Sequence, residues 1–245
     1  EEITWDELPI TGEDLEEIYP TASNKAKENE EIMDEVREIT AELESGKNKG
    51  YVALWNKIKE ISIKDIKSIY KELNADFDLW EGESDSYPYI EETIDIMEKS
   101  GYLIESEGAK IVEVIEDDDK APMPPLVVIK SNGATLYATR ELATIISRMK
   151  RFNPKEIWYI VDMRQGLYFE QVFRASYKTG LVSKDTVLEY YGFGTMNGTD
   201  GKPFKTRDGN AATLKSLIKS VKEEILTHMN KDMDNKEEIA EKITI

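Results

Sequence analysis

The chain has 245 residues, of which 40% are hydrophobic and 33% charged, and its formal net charge is −18. This composition predicts a folded core under a heavily charged surface, in one large domain or two small ones. The chain has no cysteine, which excludes disulfides and thiolate chemistry, and its one histidine, His228, excludes sites built on several histidines. It has no long apolar run and no secretory signal, which predicts a cytoplasmic protein.

The beginning of the chain is acidic and has helical spacing. Residues 1–85 hold 24 acidic and 10 basic side chains. The apolar periodicity predicts helices over 14–19, 23–45, 51–61 and 63–73. Ser62 is expected to cap the last of them. Residues 1–75 are therefore predicted to form an acidic helical insertion segment.

The pattern changes after residue 75. Phe77–Trp80 is expected to form a strand, and Pro88 to open a helix that ends near Lys99. Two short strands, 101–106 and 110–115, are expected to pair as a hairpin around Glu107 and Gly108. The run Asp117-Asp118-Asp119 resembles a metal site, but adjacent carboxylates in a loop are more often solvated.

From Pro124 onward strands and helices alternate. Strands are predicted at 125–130, 156–161 and 187–196, and helices at 139–151 and 167–179. Such alternation is typical of an α/β fold with a doubly wound parallel sheet, which binds ligands beyond the carboxyl ends of its strands. Glu83, Glu141 and Asp162 fall at such ends, beside Tyr137 and Gln165. They form either an acidic pocket for a cation with several N–H donors or a set of strand caps and surface ion pairs.

A glycine-rich basic loop follows the last strand. Lys202, Lys205 and Arg207 stand between glycines, just ahead of a helix predicted over 211–229. Fixed positive charge before a helix N-terminus suits a phosphate ligand, although an ordinary hairpin with solvated lysines has the same pattern. The polar tail is expected to become helical from Lys236.

Four segments in order resemble the catalytic domain of the arginyl-tRNA synthetases, a class I family. They are Phe77–Ser84 (FDLWEGES), Pro124–Leu142 (PPLVVIKSNGATLYATREL), Trp158–Phe173 (WYIVDMRQGLYFEQVF) and Tyr191–Gly209 (YGFGTMNGTDGKPFKTRDG). The resemblance covers roughly residues 25–230. It implies an incomplete Rossmann-like parallel sheet, the second half of the class I core, over residues 76–210, with 211–245 as a C-terminal helix and tail.

The resemblance also implies roles for individual residues. Glu83, Tyr137, Glu141 and Gln165 match positions of the arginine pocket, with Glu141 standing where the family usually has Asp. Tyr168, Gly194 and Met196 match the ATP site, and Tyr168 stands where the family usually has His. Lys202, Lys205 and Arg207 lie in the mobile catalytic signature loop, in which Thr206 replaces the second lysine of the general pattern. No metal ligand set can be named.

The function implied is an arginine–tRNA ligase that activates arginine with ATP and Mg²⁺ and transfers it to tRNA(Arg), without a tightly bound cofactor. The His-Ile-Gly-His-type signature and the anticodon-binding helical domain of the family are not found in the chain. The piece is therefore expected to be inactive alone, with a monomer as the default state. A truncated non-catalytic paralogue that binds a guanidino metabolite or a nucleotide, and an interaction piece with an acidic surface, are the alternatives.

Overall fold

The structure is a computed structural model that describes residues 5, 9–195, 197, 201, 213–230 and 233–245. Its elements in chain order are α1 (Gly12–Glu28), α2 (Glu30–Glu44), α3 (Lys49–Glu72), a 3-10 segment (Glu83–Tyr89), α4 (Ile90–Lys99), β1 (Leu103–Ser106), β2 (Ala109–Val112), β3 (Leu126–Ile129), α5 (Tyr137–Phe152), β4 (Glu156–Asp162), a 3-10 turn (Met163–Gln165), α6 (Gly166–Lys178), β5 (Val187–Phe193), α7 (Leu214–His228) and α8 (Lys236–Thr244). They divide into two compact units, a helical unit before Leu79 and after Thr195, and an α/β unit, Leu79–Thr195. The domain limits proposed at residues 75 and 210 stay a prediction.

The helical unit consists of α1, α2, α3, α7 and α8. Polar residues start four of these helices: Thr11 forms a capping box with Asp14, and Asn29, Asn48 and Thr213 accept backbone N–H bonds at the starts of α2, α3 and α7. Among the described hydrophobic side chains of this unit, Ala26 and Ala240 alone are buried. None of the described helices has the length and apolar character that a membrane span requires.

Several helix predictions in this unit are wrong. The helix expected at 23–45 is divided at Asn29, which ends α1 in an extended conformation and caps the start of α2. The helices expected at 51–61 and 63–73 form one continuous helix, α3, in which Ser62 is an interior residue. Serine is only a moderately poor helix former, and no glycine or proline interrupts the segment after Gly50, so nothing ends the helix there. The helix expected at 14–19 begins earlier and continues through Pro20 to Glu28, since the capping box at Thr11 fixes its start.

An antiparallel sheet begins the strand structure of the α/β unit. The predicted hairpin is confirmed: β1 pairs with β2, and Glu107 and Gly108 turn the chain with φ angles of 50° and 78°. Strand β3 then pairs antiparallel with β2, with an irregularity between Lys110 and Ile111. The order of this sheet is β1-β2-β3.

Two strand predictions need correction. The structure has no strand at Phe77–Trp80, where two exposed hydrophobic residues alternate with aspartates and find no partner strand among the described residues. Strand β3 was expected to join the parallel sheet, because its sequence is continuously apolar. Instead it lies in the antiparallel sheet, with Val128 fully buried and Val127 exposed. Its burial therefore alternates, as in a strand covered on one face.

The predicted parallel pairing of the last two strands is confirmed. Strands β4 and β5 run parallel, in register from Glu156 opposite Val187 to Asp162 opposite Phe193. Residues from both sheets and from helices α4, α5 and α6 share one hydrophobic core, whose largest fully buried side chains are Met97, Leu142, Ile145, Val112, Val114, Val128 and Val172. The α/β unit thus has the packed core that the helical unit lacks within its described residues.

Helix α5 is anchored to the antiparallel sheet by a buried hydroxyl. The side chain of Thr139 has no solvent exposure. Its Oγ1 accepts a hydrogen bond from the Leu136 N–H at 2.9 Å and donates one to the Val128 carbonyl of β3. One hydroxyl therefore caps the start of α5 and fixes the position of the helix against β3.

We expect Thr139→Val to lower the free energy of unfolding by about 1–3 kcal/mol, because valine has the same shape but leaves a buried N–H and a buried carbonyl without a partner. Thr144→Val is the matched control on the same helix. Its hydroxyl donates only to the carbonyl of Arg140, one turn earlier. Chemical denaturation measures both variants, and equal losses of stability would contradict the anchoring role of Thr139.

Candidate functional site

Helix α5 has two chemically different faces. Leu142, Ile145 and Ile146 are buried in the core. The other face carries polar side chains at helical spacing, and these line one cavity: Tyr137, Arg140, Glu141, Thr144, Ser147 and Arg148. Because residues three or four apart lie on one side of a helix, burial of the apolar face turns this polar set toward the cavity.

The opposite wall of the cavity is the 3-10 segment and the residues just before it. Glu81, Gly82, Glu83, Asp85 and Ser86 complete the lining. The Asp85 carboxylate accepts the Gly82 N–H at 2.7 Å, and the Ser86 hydroxyl donates to the Glu83 carbonyl at 2.6 Å. These local bonds fix the segment, which faces α5 across a volume of about 270 Å³.

An ion pair between Arg140 and Glu83 crosses the cavity. Arg140 Nη1 donates to Glu83 Oε1, and the two side chains are 20% and 40% exposed. The Arg140 guanidinium also lies 5.6 Å from the ring centre of Tyr87 and 6.0 Å from that of Tyr137. The cavity therefore already contains a guanidinium held by a carboxylate and two aromatic rings.

Glu141 is the carboxylate that α5 contributes to the cavity, and its environment differs from that of Glu83. Burial raises the pKa of Glu141, and the negative charge of Glu83 adds to this effect, while the charge of Arg148 and the Tyr159 hydroxyl oppose it. No salt bridge to Glu141 within 4.0 Å is found in the part of the chain that the structure describes. A half-buried carboxylate with a raised pKa favours a cationic ligand, because the positive charge of the ligand would offset the free-energy cost of ionising the carboxylate there.

Three of the four residues predicted to bind arginine lie together. Glu83, Tyr137 and Glu141 line the cavity, and Gln165 does not. Gln165 is exposed at the end of the 3-10 turn before α6. Asp162, which was expected to join the acidic cluster, does not line the cavity either, because its carboxylate binds the Arg164 side chain at 2.8 and 3.0 Å. That pairing holds the pKa of Asp162 low, at about 2.

Tyr168, predicted to contact ATP, lies half-buried on α6. Burial raises its pKa, and so do the negative charges of Glu141 and Glu83. Its hydroxyl therefore stays protonated at neutral pH and lies within the electrostatic reach of the cavity carboxylates. Gly194 follows β5 and is exposed.

The remaining predicted site residues lie outside the described part of the chain. Met196 and the three basic residues of the loop, Lys202, Lys205 and Arg207, belong to this group. The neighbouring Thr195 is described, and its hydroxyl lies 3.1 Å from Asp162 Oδ2. The end of β5 is thus tied to the end of β4.

Sequence reasoning gave no role to Arg140, Arg148 or Tyr159. The Arg148 guanidinium lies 5.2 Å from the ring centre of Tyr159, and the Tyr159 hydroxyl is buried. Burial and the charge of Glu141 raise the pKa of Tyr159. The helical spacing of three or four residues from Tyr137 to Arg148 could have placed the two arginines on the polar face of α5. Tyr159 is on a strand, so no spacing in the sequence connects it with this face.

The aspartate run at 117–119 is not a metal site in the described structure. The Asp119 carboxylate binds both terminal nitrogens of Arg174 at 2.7 Å, and the same guanidinium binds Glu170 at 2.6 Å. This pairing lowers the pKa of Asp119 to about 2. Among the described residues no group of acidic or histidine side chains could hold a metal ion.

Comparison with known proteins identifies the family of this fold and cavity. The whole chain, residues 1–245, matches the family model of the class I tRNA synthetases (R), catalytic domain. The chain belongs to this arginyl-tRNA synthetase family. It is 45% identical over 233 residues to the arginine–tRNA ligase of Agathobacter rectalis, and 44% identical over 241 residues to that of Alkaliphilus oremlandii.

The chain corresponds to only part of its relatives. The two alignments cover 95% and 97% of this chain but 39% and 41% of the ligases. Solved arginyl-tRNA synthetases have the same fold at low identity. The Plasmodium falciparum structure has a TM-score of 0.70 and 22% identity, over 88% of this chain and 36% of that one. The Thermus thermophilus structure has a TM-score of 0.66 and 18% identity, over 90% and 42%.

We expect Glu141→Gln to raise the melting temperature of this arginyl-tRNA synthetase chain at pH 7, by about 2 °C or more. The pKa of this carboxyl group is higher in the folded chain than in the unfolded chain. The group therefore stabilises the folded state at pH values below its pKa in the unfolded chain, and this stabilisation is lost as the pH rises through its pKa in the folded chain. At pH 7 the charged group is therefore a net cost, which glutamine removes. The gain should shrink as the pH falls toward 4.

The control for this experiment is Glu92→Gln. Glu92 is a half-exposed carboxylate on α4 that binds Lys150 at 2.7 Å, so its removal should not stabilise the chain. Thermal melts at pH 7 and pH 4 make the comparison. A lower melting temperature for Glu141→Gln at pH 7 would show that Arg148 and Tyr159 outweigh the burial of Glu141.

Proposed function

We propose that the chain is part of the catalytic core of an arginine–tRNA ligase and that its cavity receives the side chain of free arginine. The observation that carries this proposal is the position of Glu141. It is a half-buried carboxylate with a raised pKa, it lines a cavity of about 270 Å³, and it lies one helical turn after Tyr137 on the same side of α5. Membership of the arginyl-tRNA synthetase family supports the choice of ligand.

The chemistry of the cavity favours a guanidinium over an ammonium. A planar guanidinium presents parallel N–H donors to a carboxylate and stacks on aromatic rings, whereas the lysine ammonium is a compact point charge. Tyr137 is 70% exposed, so its ring can cover a side chain that enters beside Glu141. We assign Gln165 to the amino-acid end of the substrate as an expectation from the family resemblance alone.

The proposed reaction is the two-step synthesis of arginyl-tRNA. The arginine carboxylate attacks the α-phosphate of ATP and pyrophosphate leaves. A hydroxyl of the terminal ribose of tRNA(Arg) then attacks the carbonyl of the adenylate, which forms the arginyl ester and releases AMP. No covalent enzyme nucleophile is needed, so the protein contributes positioning and charge stabilisation. Lys202, Lys205 and Arg207 are proposed to stabilise the phosphates, and Tyr168, Gly194 and Met196 to lie at the ATP site. Mg²⁺ would enter with ATP, held by phosphates and water.

Identity to two arginine–tRNA ligases at 44% and 45% favours this function over a truncated paralogue without chemistry. Because the chain spans about 40% of the length of these curated relatives, the complete reaction is proposed for a protein that includes it. A cytoplasmic location, the usual place of protein biosynthesis, and a monomeric state are part of the same proposal.

We also propose that β4 and β5 belong to a larger Rossmann-like sheet. The described part of the chain gives β4 one partner strand, β5, and leaves one face of the pair apolar and open. Trp158, Ile160, Tyr191 and Phe193 on this face are between 47% and 67% exposed. Parallel sheets are normally covered on both faces, so an open apolar face supports additional layers in the complete protein.

Hydrogen–deuterium exchange tests the sheet proposal. Amides on the open edge of β4, those of Trp158 and Ile160, should exchange at least about tenfold more slowly in a full-length arginine–tRNA ligase than in the 245-residue chain, because an added strand would protect them. Amides of α5 serve as the internal control, since their hydrogen bonds are complete in both proteins. Equal exchange of the β4 amides in both proteins would contradict the proposal.

A direct binding measurement tests whether the cavity binds arginine in preference to related amino acids. Calorimetry should show that the 245-residue chain binds L-arginine more tightly than L-lysine or the neutral isostere L-citrulline. Glu141→Gln should weaken arginine binding on the order of 10-fold or more, since it removes a charge-assisted bond. Glu92→Gln removes a carboxylate outside the cavity and should have no effect. Equal affinity for arginine and lysine, or equal effects of the two substitutions, would contradict the assignment.

A further inference from the structure

Strand β5 has one edge against β4 and one outer edge. The Val187 N–H donates to the Lys155 carbonyl at 2.8 Å, and the two strands stay in register from there to Phe193. The N–H and C=O of a strand residue point to the same side, and successive residues alternate between sides. The backbone groups of Leu188, Tyr190 and Gly192 therefore point outward. In the described structure no strand pairs with this outer edge.

The Tyr177 hydroxyl occupies the beginning of the outer edge. It donates to the Thr186 carbonyl at 2.8 Å and accepts the Leu188 N–H at 2.9 Å. Tyr177 lies in the last turn of α6, and its ring packs against the hydrophobic core. Both backbone groups belong to buried residues, since Thr186 is 5% and Leu188 8% exposed. Loss of the hydroxyl would therefore remove a hydrogen-bond partner from two backbone groups of buried residues.

These two hydrogen bonds copy the backbone of a neighbouring parallel strand. In a parallel ladder, one residue of the adjacent strand donates to the carbonyl before a given residue and accepts from the N–H after it. The Tyr177 hydroxyl makes this pair of bonds around Val187. A side-chain oxygen thus takes the place of one backbone residue, and a second strand cannot occupy the same position.

An acidic groove continues along the outer edge. Helix α6 and the outer side of β5 enclose a volume of about 600 Å³. The lining includes three carboxylates, those of Glu116, Glu170 and Glu189, and one basic side chain, Arg174. Arg174 already binds Glu170 at 2.6 Å. A second copy of the chain would bring the same excess of negative charge, so repulsion also opposes pairing at this edge, although salt screens such repulsion.

We propose that the Tyr177 hydroxyl closes the outer edge of β5 against strand pairing with a second copy of this chain. A free sheet edge offers a row of N–H and C=O groups to any extended segment, and folded proteins protect such edges. The second copy is the partner to exclude, because it carries β5 itself, a strand rich in apolar and aromatic residues. The inference rests on the contacts of Tyr177 and not on the reaction proposed for the chain.

The first test concerns the hydrogen bond to Leu188. Tyr177→Phe keeps the ring and removes only the hydroxyl. In the dilute 245-residue chain, NMR should show that the Leu188 amide exchanges at least about tenfold faster in this variant than in the wild type. Tyr191→Phe is the matched control, because the Tyr191 hydroxyl binds the Glu189 side chain at 2.5 Å and not the backbone. Equal exchange of the Leu188 amide in the wild type and Tyr177→Phe overturns the proposal.

The second test asks whether the edge opens to a second copy. As the concentration of Tyr177→Phe is raised, the outward amides of Tyr190 and Gly192 should become at least about tenfold better protected, and sedimentation equilibrium should show a dimer. In the wild type and in Tyr191→Phe, the exchange of these amides should not depend on concentration. Salt at about 1 M reduces the Debye length to about 3 Å, so the net charge of −18 cannot account for a difference. A Tyr177→Phe chain without this protection overturns the proposal.

The wild-type chain provides a test that does not require Tyr177→Phe to fold. Self-association through β4 would protect the outward amides of that strand, Trp158 and Ile160, so the two edges are distinguished within one experiment. At high concentration and high salt, exchange of the Tyr190 and Gly192 amides that stays as fast as in the dilute chain supports the closed edge. Protection of these two amides in the wild type overturns it. Neither result bears on arginine binding, so the proposed function is tested separately.

Discussion

The cavity depends on the burial of one face of helix α5. Leu142 and Ile145 are fully buried in the core of the α/β unit, and the Thr139 hydroxyl ties the first turn of the helix to β3. With that face fixed, the residues three or four positions apart on the other face have a fixed direction. Helix position, rather than loop conformation, therefore sets the geometry between Glu141 and the 3-10 segment.

Electrostatics within the cavity then follow from how each charge is compensated. Glu83 has a partner within the chain, Arg140, whereas Glu141 has a raised pKa because burial outweighs the charge of Arg148. An uncompensated carboxylate lowers stability, and such costs are typical of sites that wait for a ligand. The same feature makes Glu141 the residue whose replacement should stabilise the free chain and weaken arginine binding.

The sequence predicted those parts of the fold that are encoded locally. The hairpin of β1 and β2 follows from its turn residues, and the parallel pairing of β4 with β5 from the alternation of strands and helices. The prediction that β3 joins the parallel sheet was wrong. A short apolar run has the same sequence pattern in an antiparallel strand with one covered face as in a fully buried parallel strand. The division of α3 at Ser62 failed because serine favours a helix start without requiring one.

For the site, helical spacing and family resemblance together brought Glu83, Tyr137 and Glu141 to one cavity. Neither the spacing nor the resemblance could predict that Glu83 pairs with Arg140. The two residues are 57 positions apart, so their ion pair depends on the tertiary packing of α5 against the 3-10 segment. The inclusion of Asp162 failed for a similar reason, since its local partner Arg164 neutralises it at the end of β4.

The most direct test of the account is a crystal structure of the chain with bound L-arginine. We expect the ligand guanidinium beside the Glu141 carboxylate and under the Tyr137 ring, in the cavity between α5 and the 3-10 segment. The account would be contradicted if arginine occupied a site away from this cavity.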